Sequence, residues 1–202
     1  MITIVNYGLG NILAFVSIYK RLNIPVRMAQ TPLELSGAEK IILPGVGAFD
    51  WAMQKLDDSG MRSTLDELVL KRQCPVLGVC VGMQMMAKRS EEGELLGLGW
   101  IDAEVKRFDV SGFRQKTHLP HMGWNNVTPI TESLFKVLES PRFYFLHSYY
   151  MTLAKPDQVI ASTDYNGTFA SAVQSGHVFG VQFHPEKSHQ WGIQVLKNFA
   201  EL

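Results

Sequence analysis

Two short strings hold most of the reactive potential of this chain. Gly78-Val79-Cys80-Val81-Gly82 follows the apolar run Pro75-Val76-Leu77, and His184-Pro185-Glu186 follows a second apolar run over residues 178–183. The first has the form of a strand that turns sharply into a helix with a thiol at the bend. Its flanking glycines let the backbone pass closely through a strained turn. The helix predicted over residues 81–88 would favour thiolate at Cys80 through its N-terminal dipole. The second string sets a base and a carboxylate two residues apart, on one face of an extended segment. There Glu186 can hold one ring nitrogen of His184 while the other accepts the thiol proton. Cysteine, histidine and glutamate so placed are the parts of an acyl-transfer site. Taken singly, Cys80 is equally a small buried hydrophobe and His-Pro-Glu a surface turn; the pairing is what points to chemistry.

A third string, Leu43-Pro44-Gly45-Val46-Gly47, ends a predicted strand. Glycines around one valine can turn backbone N–H groups toward a developing oxyanion, and the N–H of Val81, just after the nucleophile, is a natural companion donor. Other strings carry less. The Gly45 loop lacks the Gly-Lys-Ser/Thr of a phosphate-binding loop, and Tyr7-Gly8-Leu9-Gly10 lacks the third glycine of a dinucleotide fingerprint. His118 and His121 have metal-like spacing but Pro120 between them and no acidic or thiol ligand nearby. Cys74 reads as structural. Gln84, polar in the first turn of the predicted helix, can face the mouth of a pocket.

These groups need a scaffold, and the pattern supplies one. Residues 2–5, 26–28, 40–43 and 75–79 read as strands. Between them Ile12, Phe15, Val16, Tyr19 and Leu22 recur at helical spacing, as do Leu65, Leu68 and Val69 within 61–70. Such alternation predicts a parallel sheet covered by helices on both faces. From residue 100 onward the chain changes character. Residues 100–108, 142–150, 159–162, 170–174 and 178–183 are strand-like with short turns, which predicts antiparallel additions. A last helix is expected over 190–201 with Ile193, Leu196 and Phe199 inward, and a mobile loop over 109–116.

With 202 residues, the chain is long enough for one full core, so a single domain is expected. Nineteen basic residues balance nineteen acidic ones, which removes any charge-based argument for nucleic acid or membrane partners. No apolar run approaches the roughly 18–20 residues that span a bilayer, and no signal peptide is evident. Two cysteines without C-x-x-C spacing suit a reducing, cytoplasmic setting.

Together these strings resemble the class I glutamine amidotransferases, and more narrowly the family of glutaminase subunits of imidazole glycerol phosphate synthase. The resemblance runs from end to end. It includes Asn6-Tyr7-Gly8-Leu9-Gly10-Asn11, Pro44-Gly45-Val46-Gly47-Ala48-Phe49 and Gly78-Val79-Cys80-Val81-Gly82-Met83-Gln84. It continues through Pro120-His121-Met122-Gly123-Trp124-Asn125, Tyr144-Phe145-Leu146-His147-Ser148-Tyr149 and Gln182-Phe183-His184-Pro185-Glu186-Lys187-Ser188. It implies an α/β, flavodoxin-like three-layer fold. It implies Cys80 as nucleophile, His184 as base then acid, and Glu186 as orienter. Gly45, Val46, Gly47 and Val81 would form the oxyanion hole. Gln84, His147, Ser148 and Tyr149 would hold glutamine.

The resemblance further implies a heterodimer with a (β/α)₈-barrel cyclase that receives the ammonia, with Trp124, Tyr144 and Lys187 at the docking face. It implies no metal or organic cofactor. Trp124 read by itself is equally a core residue. Val81 is a departure, since leucine commonly follows the nucleophile in the family. That swap keeps the backbone N–H and leaves open a paralogous subgroup supplying ammonia for sugar amination in surface polysaccharide synthesis. A non-catalytic docking module, or a cysteine hydrolase on the same scaffold, is the reading from a different class.

Overall fold

The computed structural model describes residues 1–112 and 118–202. Its centre is an eight-stranded sheet built from β1 (Ile2–Val5), β2 (Val26–Ala29), β3 (Lys40–Gly45), β4 (Val76–Cys80), β8 (Thr128–Pro129), β11 (Val159–Asp164), β12 (Thr168–Ser175) and β13 (Val178–Val181). The order is β2-β1-β3-β4-β13-β12-β11-β8. The first five run parallel, and β12, β11 and β8 add on antiparallel. Every residue of β1, β4 and β13 is buried, which requires cover on both faces of the sheet. That cover comes from two groups of helices. α1 (Ile12–Arg21) packs with α6 (His189–Glu201), and α2 (Pro32–Leu35) with α4 (Arg62–Asp66). The parallel core and the antiparallel additions at 159–162 and 170–174 match the sequence-based expectation. The strand expected at 178–183 as an antiparallel addition instead runs parallel to β4, and those expected at 100–108 and 142–150 lie in separate small sheets.

Smaller pieces complete the site end of the molecule. β5 (Arg89–Ser90), β6 (Ala103–Arg107) and β10 (Tyr149–Leu153) form a three-stranded sheet, and β7 (His121–Asn126) with β9 (Arg142–His147) forms an antiparallel ribbon. The strand expected over 142–150 is thus two strands. At Ser148 the chain leaves β7 and joins β6, and the Ser148 carbonyl accepts from Phe108 N–H at 3.2 Å. β9 turns Phe143 and Phe145 fully inward, where Phe143 stacks on Phe183 with centroids 3.8 Å apart.

Three other expectations change. α3 (Phe49–Asp58) has no counterpart among the elements expected from the sequence, although it buries Phe49, Ala52, Met53 and Leu56 at helical spacing. The helix expected over 61–70 is α4 followed by a wider turn, Glu67–Lys71, and still buries Leu65, Leu68 and Val69. The helix expected over 81–88 is a single turn, α5 (Val81–Gln84). Beyond it the backbone is claimed elsewhere. The carbonyls of Met85, Met86, Ala87 and Lys88 accept from Leu98, Ile101, Gly99 and Gly97. In α6, Leu196 and Phe199 are fully buried as expected, whereas Ile193 is only half-buried and Val195 takes the inward place. Of the loop expected at 109–116, residues 109–112 form a turn in which Asp109 accepts from Ser111; residues 113–116 lie outside those described.

Candidate active site

Cys80 is the last residue of β4 and carries φ +55°, ψ −114°. A non-glycine residue at positive φ in so sparsely populated a region stores backbone strain of roughly 1–3 kcal/mol, tolerated when the surroundings over-determine it. They do so here. A Cβ on Gly82 would lie 2.0 Å from the Leu43 carbonyl oxygen, and one on Gly45 would lie 2.3 Å from Gly82 N. Strand β3 is therefore pressed directly against the elbow, with Gly45 in register with Cys80. The sulfur is nearly enclosed and lines a cavity of about 270 Å³.

His184 begins a tight helical turn, Pro185–Lys187, so His184 and Glu186 face each other across a turn and not along an extended strand. The result is the expected contact: His184 Nδ1 lies 2.9 Å from Glu186 Oε1, with both side chains almost fully buried. Burial alone would lower the imidazole pKa. Hydrogen bonds with Cys80 and Glu186 and the negative charges of both outweigh it, pushing His184 up to about 10. The second Glu186 oxygen is buried with no hydrogen-bond partner among the described residues, which leaves His184 as the main compensation for the carboxylate.

Of the oxyanion candidates, Gly47 and Val81 line the same cavity, and Gly45 and Val46 do not. Val81 opens α5, where its N–H has no acceptor within the helix. Gly47, at φ +88°, lines the cavity, and Val46 between the glycines is partly exposed. The N-terminal segment buttresses this loop: Tyr7 Oη donates to the Pro44 carbonyl at 2.7 Å, and a Cβ on Gly10 would lie 2.7 Å from Pro44 Cβ. The partial glycine fingerprint thus has a packing role.

Gln84, His147, Ser148 and Tyr149 also line the cavity, beside Leu146 and Pro120. Two of them are already engaged within the protein. Gln84 Nε2 donates to the Tyr149 carbonyl (3.1 Å) and to Gln182 Oε1 (3.0 Å). His147 has both ring nitrogens occupied, by the Tyr149 carbonyl (2.8 Å) and by His121 (3.0 Å), so neither is left for a ligand. Burial pushes the pKa of His147 down to about 3 and that of His121 to about 4, and both rings are neutral.

Sequence reasoning missed Glu92. Its Oε2 accepts from Phe49 N–H at the start of α3 (2.9 Å), and the residue lines the cavity together with Gln84 and Ser148. Nothing in the local spacing marks it, because a fold contact 43 residues distant places it there.

Trp124, Tyr144 and Lys187 are brought together. Trp124 and Tyr144 are cross-strand partners in the β7–β9 ribbon, and Lys187 Nζ lies 5.7 Å from the Tyr144 ring. Trp124 is 38% exposed and stacks on His189, so it is not a core residue. Met122 and Leu146 on the same ribbon are exposed too, which makes an apolar face beside the His184 turn. Cys74, by contrast, is buried away from the site, and burial raises its thiol to about 11.

The model of the family described as glutamine amidotransferase class-I matches residues 9–202. A Bdellovibrio bacteriovorus protein named imidazole glycerol phosphate synthase subunit HisH is 56% identical over the whole of both chains. One of the same name from Leptospira interrogans is 49% identical, and the Pseudomonas aeruginosa protein named HisH 2 is 47% identical, again over both full lengths. Among solved structures, one titled glutamine amidotransferase superposes with a TM-score of 0.76 at 19% identity, covering 100% of this chain and 99% of its own. A structure of PurLQS from Thermotoga maritima superposes with a TM-score of 0.71 at 16% identity, covering 99% of this chain and 97% of its own. At those identities the structural likeness speaks for the fold.

Proposed function

Since the chain belongs to the class-I glutamine amidotransferases, and within them to the HisH subunits of imidazole glycerol phosphate synthase, we propose that it hydrolyses glutamine through Cys80, His184 and Glu186 and delivers the ammonia to a cyclase. The observation that carries this reading is the buried His184–Glu186 pair, 2.9 Å apart, facing a cysteine held at positive φ on a strand-to-helix bend.

The chemistry follows from the groups present. The Cys80 thiolate attacks the side-chain amide carbon, and the oxygen takes up negative charge against Val81 N–H and the peptides of Gly45, Val46 and Gly47. His184, cationic beside the thiolate, gives its proton to the departing nitrogen and ammonia leaves. The γ-glutamyl thioester is then attacked by water, from which His184 takes a proton. Glu186 keeps the imidazole oriented throughout. Glu92 offers a carboxylate to the glutamine α-ammonium, and Ser148 and the Tyr149 backbone bound the other end of the amino acid. His147 acts by holding Tyr149, since its nitrogens are taken.

The exposed ribbon of Trp124 and Tyr144, with Lys187, is the docking face for a (β/α)₈-barrel cyclase. In this reading the heterodimer is a lyase of histidine biosynthesis that makes imidazole glycerol phosphate and an aminoimidazole carboxamide ribonucleotide. The chain acts as one amidotransferase domain over residues 1–202. Its two unpaired cysteines suit the reducing cytoplasm, and among the described residues no helix is long and apolar enough to cross a membrane. Replacing Cys80 with Ala should abolish glutamine hydrolysis and leave cyclase binding intact; retained hydrolysis would refute the assignment.

A second client has its own support. Relatives from Pseudomonas aeruginosa and Methanococcus maripaludis carry the number 2 in their names, and Val81 replaces the common leucine. A paralogue aminating a sugar for surface polysaccharide would share the whole site. Rescue of histidine-free growth in a strain lacking its own HisH decides for the first client, and failure of rescue by a soluble, active chain decides for the second.

A further inference from the structure

A chain of hydrogen bonds runs from the exposed ribbon to the nucleophile, and backbone groups at both ends set its direction. Asn125 Oδ1 accepts from Asn126 N–H (2.8 Å) and its Nδ2 donates to the Asp164 carbonyl (2.9 Å), so the amide can only present N–H to His121 Nε2, 3.2 Å away. His121 must then carry its proton on Nδ1 and donate it to His147 Nε2 at 3.0 Å. At the other end the Tyr149 carbonyl can only accept, so His147 is protonated on Nδ1 as well. The same carbonyl accepts from Gln84, which donates to Gln182, whose Nε2 lies 3.8 Å from Cys80 Sγ. Both imidazoles are buried and neutral, and every donor meets an acceptor.

The geometry points to His121 as a positioning residue for glutamine binding: by donating to His147 Nε2 it holds in place the ring whose Nδ1–H clamps the Tyr149 carbonyl in the wall of the cavity. His121 itself does not line the cavity. Without its N–H, His147 Nε2 is a buried acceptor with no donor. Nδ1–H still meets the Tyr149 carbonyl, but the ring has lost the partner that holds its other side, and the cost of the bare buried acceptor favours a tilted or displaced ring. The 147–149 segment then loosens where the substrate must be gripped. A shift of about 1 Å in such a wall is enough to degrade binding and alignment. This inference rests on the glutaminase reading for its kinetic consequence, but its tautomer assignment needs no substrate.

Two measurements test it. Nitrogen-15 NMR of the imidazoles in the wild-type protein should show both His121 and His147 neutral and protonated on Nδ1; an Nε2 proton on either ring, or a cationic ring at neutral pH, overturns the proposal. His121→Phe keeps the ring stacked on Phe145 and Tyr165 and removes the donor, whereas His121→Asn supplies an amide N–H where Nδ1 stood. The Phe variant should raise KM for glutamine about tenfold, as for a lost buried hydrogen bond, with a smaller effect on kcat. The Asn variant should restore most of the loss. An unchanged KM in the Phe variant, or an equal rise in both, overturns the proposal. Absence of glutamine hydrolysis by the wild type would instead strike the functional reading and leave the tautomer result standing.

Discussion

At the residue scale the site is an electrostatic couple under strain. His184 is pushed up to about 10 because Cys80 and Glu186 surround a buried imidazole with hydrogen bonds and negative charge. A base so held stays cationic through neutral pH, which matches a thiolate and supplies the proton that ammonia must carry away. Glu186→Gln removes one of those charges and keeps the shape. Hydrolysis in this variant should fall about 10²–10⁴-fold, and the alkaline limb of its pH–rate profile should move to lower pH. The linkage to stability has a definite sign. A pKa raised in the folded state stabilises fully below the unfolded histidine value near 6.5, and that contribution fades as pH rises toward about 10. The stability gap between wild type and Glu186→Gln should therefore be widest near pH 6 and close toward pH 10, as read by urea denaturation at each pH.

At the element scale, the contact of β3 with the elbow sets the geometry. Gly82 and Gly47 are both required, for different reasons. A Cβ on Gly82 would overlap the Leu43 carbonyl, whereas one on Gly47 meets only the Trp51 ring at 3.9 Å, so φ +88° is its sole obstacle. Gly82→Ala should destabilise by about 3 kcal/mol or more, since strand and elbow must part. Gly47→Ala should stay folded with a loss of about 1–2 kcal/mol; denaturant midpoints distinguish the two.

What could be read ahead of the structure divides along the same line. The bend at Cys80 and the contact of His184 with Glu186 were legible because local sequence determines them, although a tight turn and not an extended segment makes that contact. The period of α3 is written in Phe49, Ala52, Met53 and Leu56, but it follows directly on a glycine-rich loop that draws attention elsewhere. β7 was not legible, because its inward positions are His121, Gly123 and Asn125 and its outward ones Met122 and Trp124, the reverse of a water-facing strand. The early end of α5 and the place of Glu92 come from contacts distant in sequence, which no local period encodes.

At the scale of the whole molecule, a parallel core carries the proposed catalytic groups and the exposed ribbon is the proposed partner face. Trp124→Ala removes the aromatic centre of the exposed face and should weaken cyclase association by about 2 kcal/mol, near 30-fold, in a titration at fixed salt. The buried histidine pair bridges the two strands of that ribbon, packs on Phe169 of β12 and gives the fold an acid limit. A pKa lowered in the folded state stabilises above about 6.5 and is lost as pH falls through about 4 for His121 and about 3 for His147. His121→Phe takes up one proton fewer, so its stability should decline less steeply from pH 6.5 to 4 than that of the wild type.

The most direct test of the central claim is glutamate release from glutamine by the purified chain, alone and then with the barrel cyclase and its phosphoribosyl ligand. The site and the docking ribbon predict hydrolysis that rises strongly when the liganded cyclase is present. No glutamate release, with or without the partner, would contradict the glutaminase itself, and release indifferent to this partner would contradict its assignment to the cyclase.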